Sequence, residues 1–86
     1  MIEKEQLNDL ATHLESLLNQ HKTSAFEIKV YSSDIVVSFD WNYDYGHFTI
    51  IPNKDGGYIV LGEYYTSIVD TIQQVADYLI KQDDSH

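Results

Sequence analysis

The chain has 86 residues, no cysteine, and 14 acidic against 5 basic side chains, which gives a net charge of −9. This length predicts one domain, residues 1–86, and a hydrophobic fraction of 43% is sufficient for a core. Without cysteine the chain cannot form disulfides or thiolate zinc sites, which favours a cytoplasmic location. No apolar run approaches the roughly 20 residues of a membrane span, so we expect no membrane partner.

The negative charge of the chain predicts the sign of the charge on its partner. Phosphate backbones and anionic lipid surfaces repel an acidic chain, so direct nucleic-acid binding is not expected. A basic protein would be attracted and would associate faster at low salt. The alternative is that the charge serves only solubility.

Two stretches have the apolar period of an amphipathic helix. The first predicts a helix over about residues 3–21, and the second a helix over about residues 67–82. Ser67 and Asp70 have the spacing of a capping box at the start of the second helix. Residues 82–86 are polar and predict a frayed tail.

Between the helices the period changes to two, which is typical of half-buried strands. Four strands are expected, at residues 26–30, 35–41, 47–51 and 58–61, with Asn53–Gly57 as a hairpin turn. The fold class is therefore α+β: a two-layer sandwich in which a four-stranded antiparallel meander carries an N-terminal and a C-terminal helix on one face (α-β-β-β-β-α). Val36, Ile51 and either Tyr58 or Val60 would lie on the uncovered face.

The chain has none of the glycine-rich, serine or histidine motifs of common enzymes, so we expect no catalytic activity. Its five basic residues are all lysines, and enzymes that act on phosphates or carboxylates rely on arginine. Asp40, Asp44 and His47 could supply oxygen and nitrogen ligands, but three scattered ligands are expected by chance in an acidic loop, so a solvated loop is the favoured interpretation. The segment from Asp40 also lacks the glycine and glutamate positions of an EF-hand. No metal or cofactor is predicted.

Aromatic and acidic residues alternate around two predicted connections, and tyrosine and tryptophan are enriched at interaction hot spots. An acidic rim around exposed rings would suit a lysine- or arginine-rich partner. Trp41 keeps the inward parity of its strand, so it either packs against the end of the sheet or contributes to a contact surface. The predicted partner-binding residues are Asp40, Trp41, Tyr43, Asp44, Tyr45, Glu63, Tyr64 and Tyr65.

These features favour a non-catalytic binding module that inhibits or regulates a basic protein, such as a nucleic-acid enzyme. Immunity proteins, antitoxins and nuclease inhibitors include small acidic chains, a likeness of size and charge alone. The alternative is a housekeeping or structural domain that forms a homodimer through the uncovered face of its sheet.

Overall fold

A computed structural model describes residues 3–42 and 45–86 of the chain. Two helices enclose five strands in sequence: α1 (Lys4–Asn19), β1 (Phe26–Val30), β2 (Ile35–Asp40), β3 (Tyr45–Pro52), β4 (Tyr58–Leu61), β5 (Thr66–Val69) and α2 (Ile72–Asp84). The strands form one sheet in the order β1-β2-β3-β4-β5, and each neighbouring pair is antiparallel. The predicted α+β class, with a helix first and a helix last, is confirmed.

The predicted number of strands is wrong, because Thr66–Val69 forms a fifth strand instead of the start of α2. Tyr58 pairs with Val69 and Leu61 pairs with Thr66, so this segment extends the meander at its edge. The capping box lies four residues later than expected. The N–H of Gln74 donates to the Thr71 hydroxyl oxygen at 3.1 Å, and the Thr71 N–H donates to Oε1 of Gln74 at 3.0 Å. Thr71 and Gln74 therefore form the capping box that was expected at Ser67 and Asp70.

The core lies between the two helices and one face of the sheet. Its buried side chains come from α1, from one parity of the strands and from α2: Leu7, Ala11, Leu14, Leu17, Leu18, Ile35, Val37, Phe39, Phe48, Ile50, Val60, Val75, Ala76 and Leu79. In this set each helix contributes positions three or four residues apart, and β2 and β3 contribute alternate positions. The described part of the chain contains no helix of the length and apolarity needed to span a bilayer.

Neither helix of the described residues covers the other face of the sheet. Val36, Ile51, Ile59, Leu61 and Ile68 have the parity that points away from the core, and Ile68 is 77% exposed. The expectation that Tyr58 or Val60 lies on this face is wrong, because both have the core-facing parity: Val60 is fully buried and Tyr58 packs against the core. We call this surface the open face.

One end of the sheet collects the residues that matter for the site, and we call it the aromatic end. Asp40 pairs with Tyr45 there, so Trp41, which follows β2, lies at this end, and the loop between β4 and β5 lies on the same side. The C-terminal turn of α2 reaches the same end, because Asp83 bonds to Ser24 just before β1 and to Trp41 just after β2. The turns Tyr31–Asp34 and Asn53–Gly57 lie at the opposite end.

Candidate functional site

Five aromatic rings pack together at the aromatic end. Phe39 and Trp41 stack with ring centroids 5.7 Å apart, and Phe48 contacts both edge-on, at 6.1 and 6.0 Å. Phe26 adds an edge contact to Phe39, and Tyr78 of α2 adds one to Phe48 at 6.3 Å. Such ring pairs contribute about 0.5–1.5 kcal/mol each beyond their burial. The cluster gives this end of the sheet a rigid aromatic base.

Gly46 makes room for Trp41. A Cβ atom at Gly46 would lie 2.9 Å from both Cδ2 and Cε3 of the indole, closer than real Cβ contacts. Trp41 is half-buried, so the indole packs over β3 while part of it stays accessible. The packing interpretation of Trp41 is therefore confirmed, and its role in a partner contact stays a prediction.

Asp83 holds the aromatic end together. Its Oδ1 accepts a hydrogen bond from Nε1 of Trp41 at 2.7 Å, and its Oδ2 accepts one from the Ser24 N–H at 3.0 Å. Burial raises the pKa of Asp83, but the bonds from Trp41 and Ser24 and the charge of His86 outweigh it and hold the pKa below its ordinary value. One carboxylate thus joins α2 to the segments before β1 and after β2.

The prediction of a frayed tail over residues 82–86 is wrong. Helix α2 continues to Asp84, and the imidazole of His86 stacks on the indole of Trp41 with centroids 4.2 Å apart and planes 13° from parallel. Asp83 and His86 both contact Trp41, and the polar composition of the segment gave no sign of these contacts. A contact between residues 42 positions apart leaves no local pattern in the sequence.

Replacing Asp83 with asparagine should lower the free energy of unfolding by about 1–2 kcal/mol at pH 7, because a neutral amide is a weaker acceptor and Asp83 is partly exposed. The pKa of Asp83 is lower in the folded chain than its unfolded value of about 3.9. The stabilisation from its ionised form is therefore complete well above pH 4 and is lost as the pH falls through the lowered folded value. Urea denaturation followed by tryptophan fluorescence should show the difference between native and variant shrinking from about pH 6 to pH 3. Asp84→Asn is the matched control, and a difference that stayed constant to pH 3 would contradict the assignment.

A cleft of about 250 Å³ lies against the aromatic cluster, and we call it the aromatic cleft. Its main lining side chains come from β2–β3, the β4–β5 loop and α2: Trp41, Phe48, Glu63, Tyr64, Tyr65 and Tyr78. His47, Gly62 and Gln82 complete the lining. The loop is closed by a hydrogen bond from the Gly62 N–H to the Tyr65 carbonyl at 2.8 Å, which holds Tyr64 at its tip.

The structure brings together four of the eight predicted partner-binding residues. Trp41, Glu63, Tyr64 and Tyr65 all line the aromatic cleft. Asp40 is exposed at the end of β2 but has the parity of the open face and borders a separate depression with Phe26 and His47. The other three predicted residues fall outside what the structure describes: Tyr43 and Asp44 as whole residues, and Tyr45 in its side chain.

Tyr78, Gln82 and Phe48 also line the cleft but were not predicted. Tyr78 and Gln82 are four residues apart in α2, so they lie one above the other on one side of the helix. This spacing was visible in the sequence, but only the β2–β3–β4–β5 connectivity shows that this side faces Tyr64 and Tyr65. Phe48 was predicted only as part of a strand.

A serine and a histidine are in contact on the open face. Oγ of Ser38 and Nδ1 of His47 are 2.7 Å apart, and Glu27 lies opposite Ser38 on β1. In a catalytic triad the imidazole lies between the carboxylate and the hydroxyl, whereas here Ser38 is the middle residue of the row. This row therefore lacks the order in which a carboxylate orients the imidazole as a base.

Metal binding was considered for Asp40, Asp44 and His47, of which Asp44 lies outside the described residues. Within residues 3–42 and 45–86, no three histidine, aspartate or glutamate side chains are grouped so that they could hold a metal ion. Every buried side-chain nitrogen or oxygen in these ranges has a hydrogen-bond partner.

No protein-family model, curated protein or solved structure matches this chain. The site is therefore interpreted from its own geometry.

Proposed function

We propose that this protein is a non-catalytic binding module that docks on a basic protein through the aromatic end. The observation that carries the proposal is a pair of adjacent tyrosines, Tyr64 and Tyr65, whose side chains are 81% and 75% exposed on a hydrogen-bonded loop. Two large rings held in solvent beside Glu63 and the aromatic cleft resemble the anchors of protein interfaces, which bury much area with few rotatable bonds.

The charge of the chain supports attraction but does not by itself locate the interface. Acidic side chains occur at both ends of the sheet: Asp40, Glu63, Asp83 and Asp84 belong to the aromatic end, and Asp34, Asp55 and Asp70 to the other. A net charge of −9 raises the rate of encounter with any cationic surface. The tyrosines and the cleft then determine which end of the molecule makes the lasting contact.

Clusters of Lys and Arg are the electrostatic footprint of proteins that handle nucleic acid, so such a protein would offer the basic surface that this chain attracts. We therefore propose an inhibitor or regulator of the immunity or antitoxin type that acts on a nucleic-acid enzyme in the cytoplasm. Covering the basic patch of that enzyme would block its substrate by occupying the same surface.

Replacing Tyr64 or Tyr65 with alanine should weaken partner binding at least about 5-fold each, because interface anchors typically account for about 1–4 kcal/mol. The partner is first captured in the native host by a photoreactive phenylalanine analogue at position 64, and its affinity is then measured by calorimetry. Tyr31→Ala is the matched control, because Tyr31 is 49% exposed at the opposite end of the sheet. Association should also slow as salt rises from about 50 to 500 mM, since screening shortens the reach of the charge.

Affinity that is lost equally in the Tyr31, Tyr64 and Tyr65 variants would contradict the location of the interface. Affinity that does not depend on salt would contradict its electrostatic part.

A homodimer through the open face is the second candidate. Ile51, Ile59 and Ile68 form one cross-strand row that reaches the edge strand β5, and a second copy would present the same apolar row. Two copies of net charge −9 repel each other, so this dimer should strengthen with salt, whereas binding to a basic partner should weaken. Sedimentation equilibrium of the native chain and Ile68→Lys at low and high salt separates the two candidates.

A further inference from the structure

The geometry points to the aromatic cleft as the receptor for one arginine side chain of the basic partner. This inference rests on the proposed function and deepens it, because it names the chemical group that the cleft recognises. It is carried by the size of the cleft, the planar rings that line it, the acceptors at its rim and the composition of the chain.

The size of the cleft fits a side chain. Sites for whole small molecules usually occupy about 300–1,000 Å³. The aromatic cleft, at about 250 Å³, is below that range. It is therefore suited to one long side chain that enters from a partner surface. Tyr64 and Tyr65 would then pack on the partner residues around that side chain.

The lining favours a flat cation. Tyr65 and Tyr78 supply aromatic rings, and a guanidinium stacks on such rings through both its charge and its planarity. Phe39 and His86 already stack on the Trp41 indole, with ring centroids 5.7 and 4.2 Å away, so the tyrosines supply the accessible rings of the cleft.

Acceptors at the cleft favour a guanidinium over other cations. Glu63 supplies a carboxylate and Gln82 an amide oxygen, while the phenol oxygens of the tyrosines can also accept. Arginine carries five N–H donors in a planar fork, whereas an ammonium group is a compact point charge. A quaternary ammonium has no donor, so it would leave Glu63 and Gln82 without a hydrogen bond.

A second copy of this sequence cannot supply the group, because its 86 residues contain no arginine. An arginine in the cleft would therefore come from a different protein. This separates the aromatic cleft from the open face, where a second copy would be the natural occupant.

The test is an NMR titration of the ¹⁵N-labelled chain with N-acetyl-arginine amide. Its isosteric neutral control is N-acetyl-citrulline amide, and N-acetyl-lysine amide and tetramethylammonium are the competing cations. We expect saturable shifts at Gly62–Tyr65, the Trp41 indole and Tyr78, with a dissociation constant on the order of 1–10 mM, as the efficiency of small ligands allows. Citrulline amide should bind at least about 5-fold more weakly, since it lacks the cation.

Glu63→Gln should weaken the binding of arginine amide about 1.5- to 5-fold, the range of a solvent-exposed ion pair. Glu27→Gln is the matched control, because Glu27 is an exposed acid on β1, away from the aromatic cleft. Equal binding of lysine amide, tighter binding of tetramethylammonium, or shifts spread over all acidic residues would each overturn the inference.

The captured partner distinguishes failure of this inference from failure of the proposed function. If Tyr64→Ala abolishes partner binding while arginine amide does not enter the cleft, the inference fails and the proposed function stands. If arginine amide enters the cleft as expected but partner affinity is unchanged by Tyr64→Ala and Tyr65→Ala, the proposed function fails, and with it the assignment of the arginine to that partner.

Discussion

Replacing Phe48 with alanine should lower the free energy of unfolding by about 3–5 kcal/mol, the usual cost of removing a buried phenylalanine. Phe48 is 6% exposed and contacts the rings of Phe39, Trp41 and Tyr78, so its loss leaves a cavity bordered by three rigid groups. The total free energy of unfolding of a domain of this size is about 4–13 kcal/mol. The midpoint of thermal unfolding should therefore fall by more than about 12 °C, at 4–8 °C per kcal/mol.

The matched control is Ile68→Ala, which removes an apolar side chain that is 77% exposed. Its effect should stay within about 0.5 kcal/mol in the monomer. Urea denaturation of both variants, followed by circular dichroism, measures the difference between their free energies of unfolding. Similar losses for Phe48→Ala and Ile68→Ala would mean that the aromatic cluster is not a main source of stability.

Replacing Gly46 with alanine should destabilise the fold by about 1–3 kcal/mol, the cost of overpacking a well-packed site. The added Cβ would lie 2.9 Å from two indole atoms of Trp41 and 3.0 Å from Cβ of Phe39. Since Trp41 is tied to Asp83, the indole cannot move away without losing that hydrogen bond. Chemical denaturation at neutral pH measures the effect.

A double-mutant cycle with Trp41→Ala gives this prediction its control. In the Trp41→Ala background the two indole contacts are gone and the contact with Cβ of Phe39 at 3.0 Å remains. Gly46→Ala should therefore destabilise this background clearly less than it destabilises the native chain. The same loss in both backgrounds would show that contact with Trp41 is not the reason for glycine at this position.

The helices and the first four strands could be predicted because their apolar residues repeat with a period of 3.6 or two. The fifth strand was missed because it has only four residues, Thr66–Val69, and Ser67 with Asp70 imitates a helix start. At that spacing the sequence does not distinguish a capping box from two polar residues beside a strand. The segment forms a strand because it pairs with β4, and residue propensities carry no information about that pairing.

The candidate site was predictable where its residues are neighbours in the sequence. Glu63, Tyr64 and Tyr65 are consecutive, and their composition alone indicated an exposed loop. The hydrogen bond from Trp41 to Asp83, and the position of Tyr78 beside the β4–β5 loop, depend on how α2 packs across the sheet. Local periodicity predicts which side of α2 is buried, but it does not predict which residues meet at the end of the helix.

The strand order has a kinetic consequence. Every strand pairs with its neighbour in the chain, so the sheet can form by successive hairpins whose loops are short and close at little entropic cost. The Ser24–Asp83 contact instead spans 59 residues and joins the two segments that flank the meander. We expect it to form after the transition state, so that weakening it accelerates unfolding and leaves the rate of folding nearly unchanged.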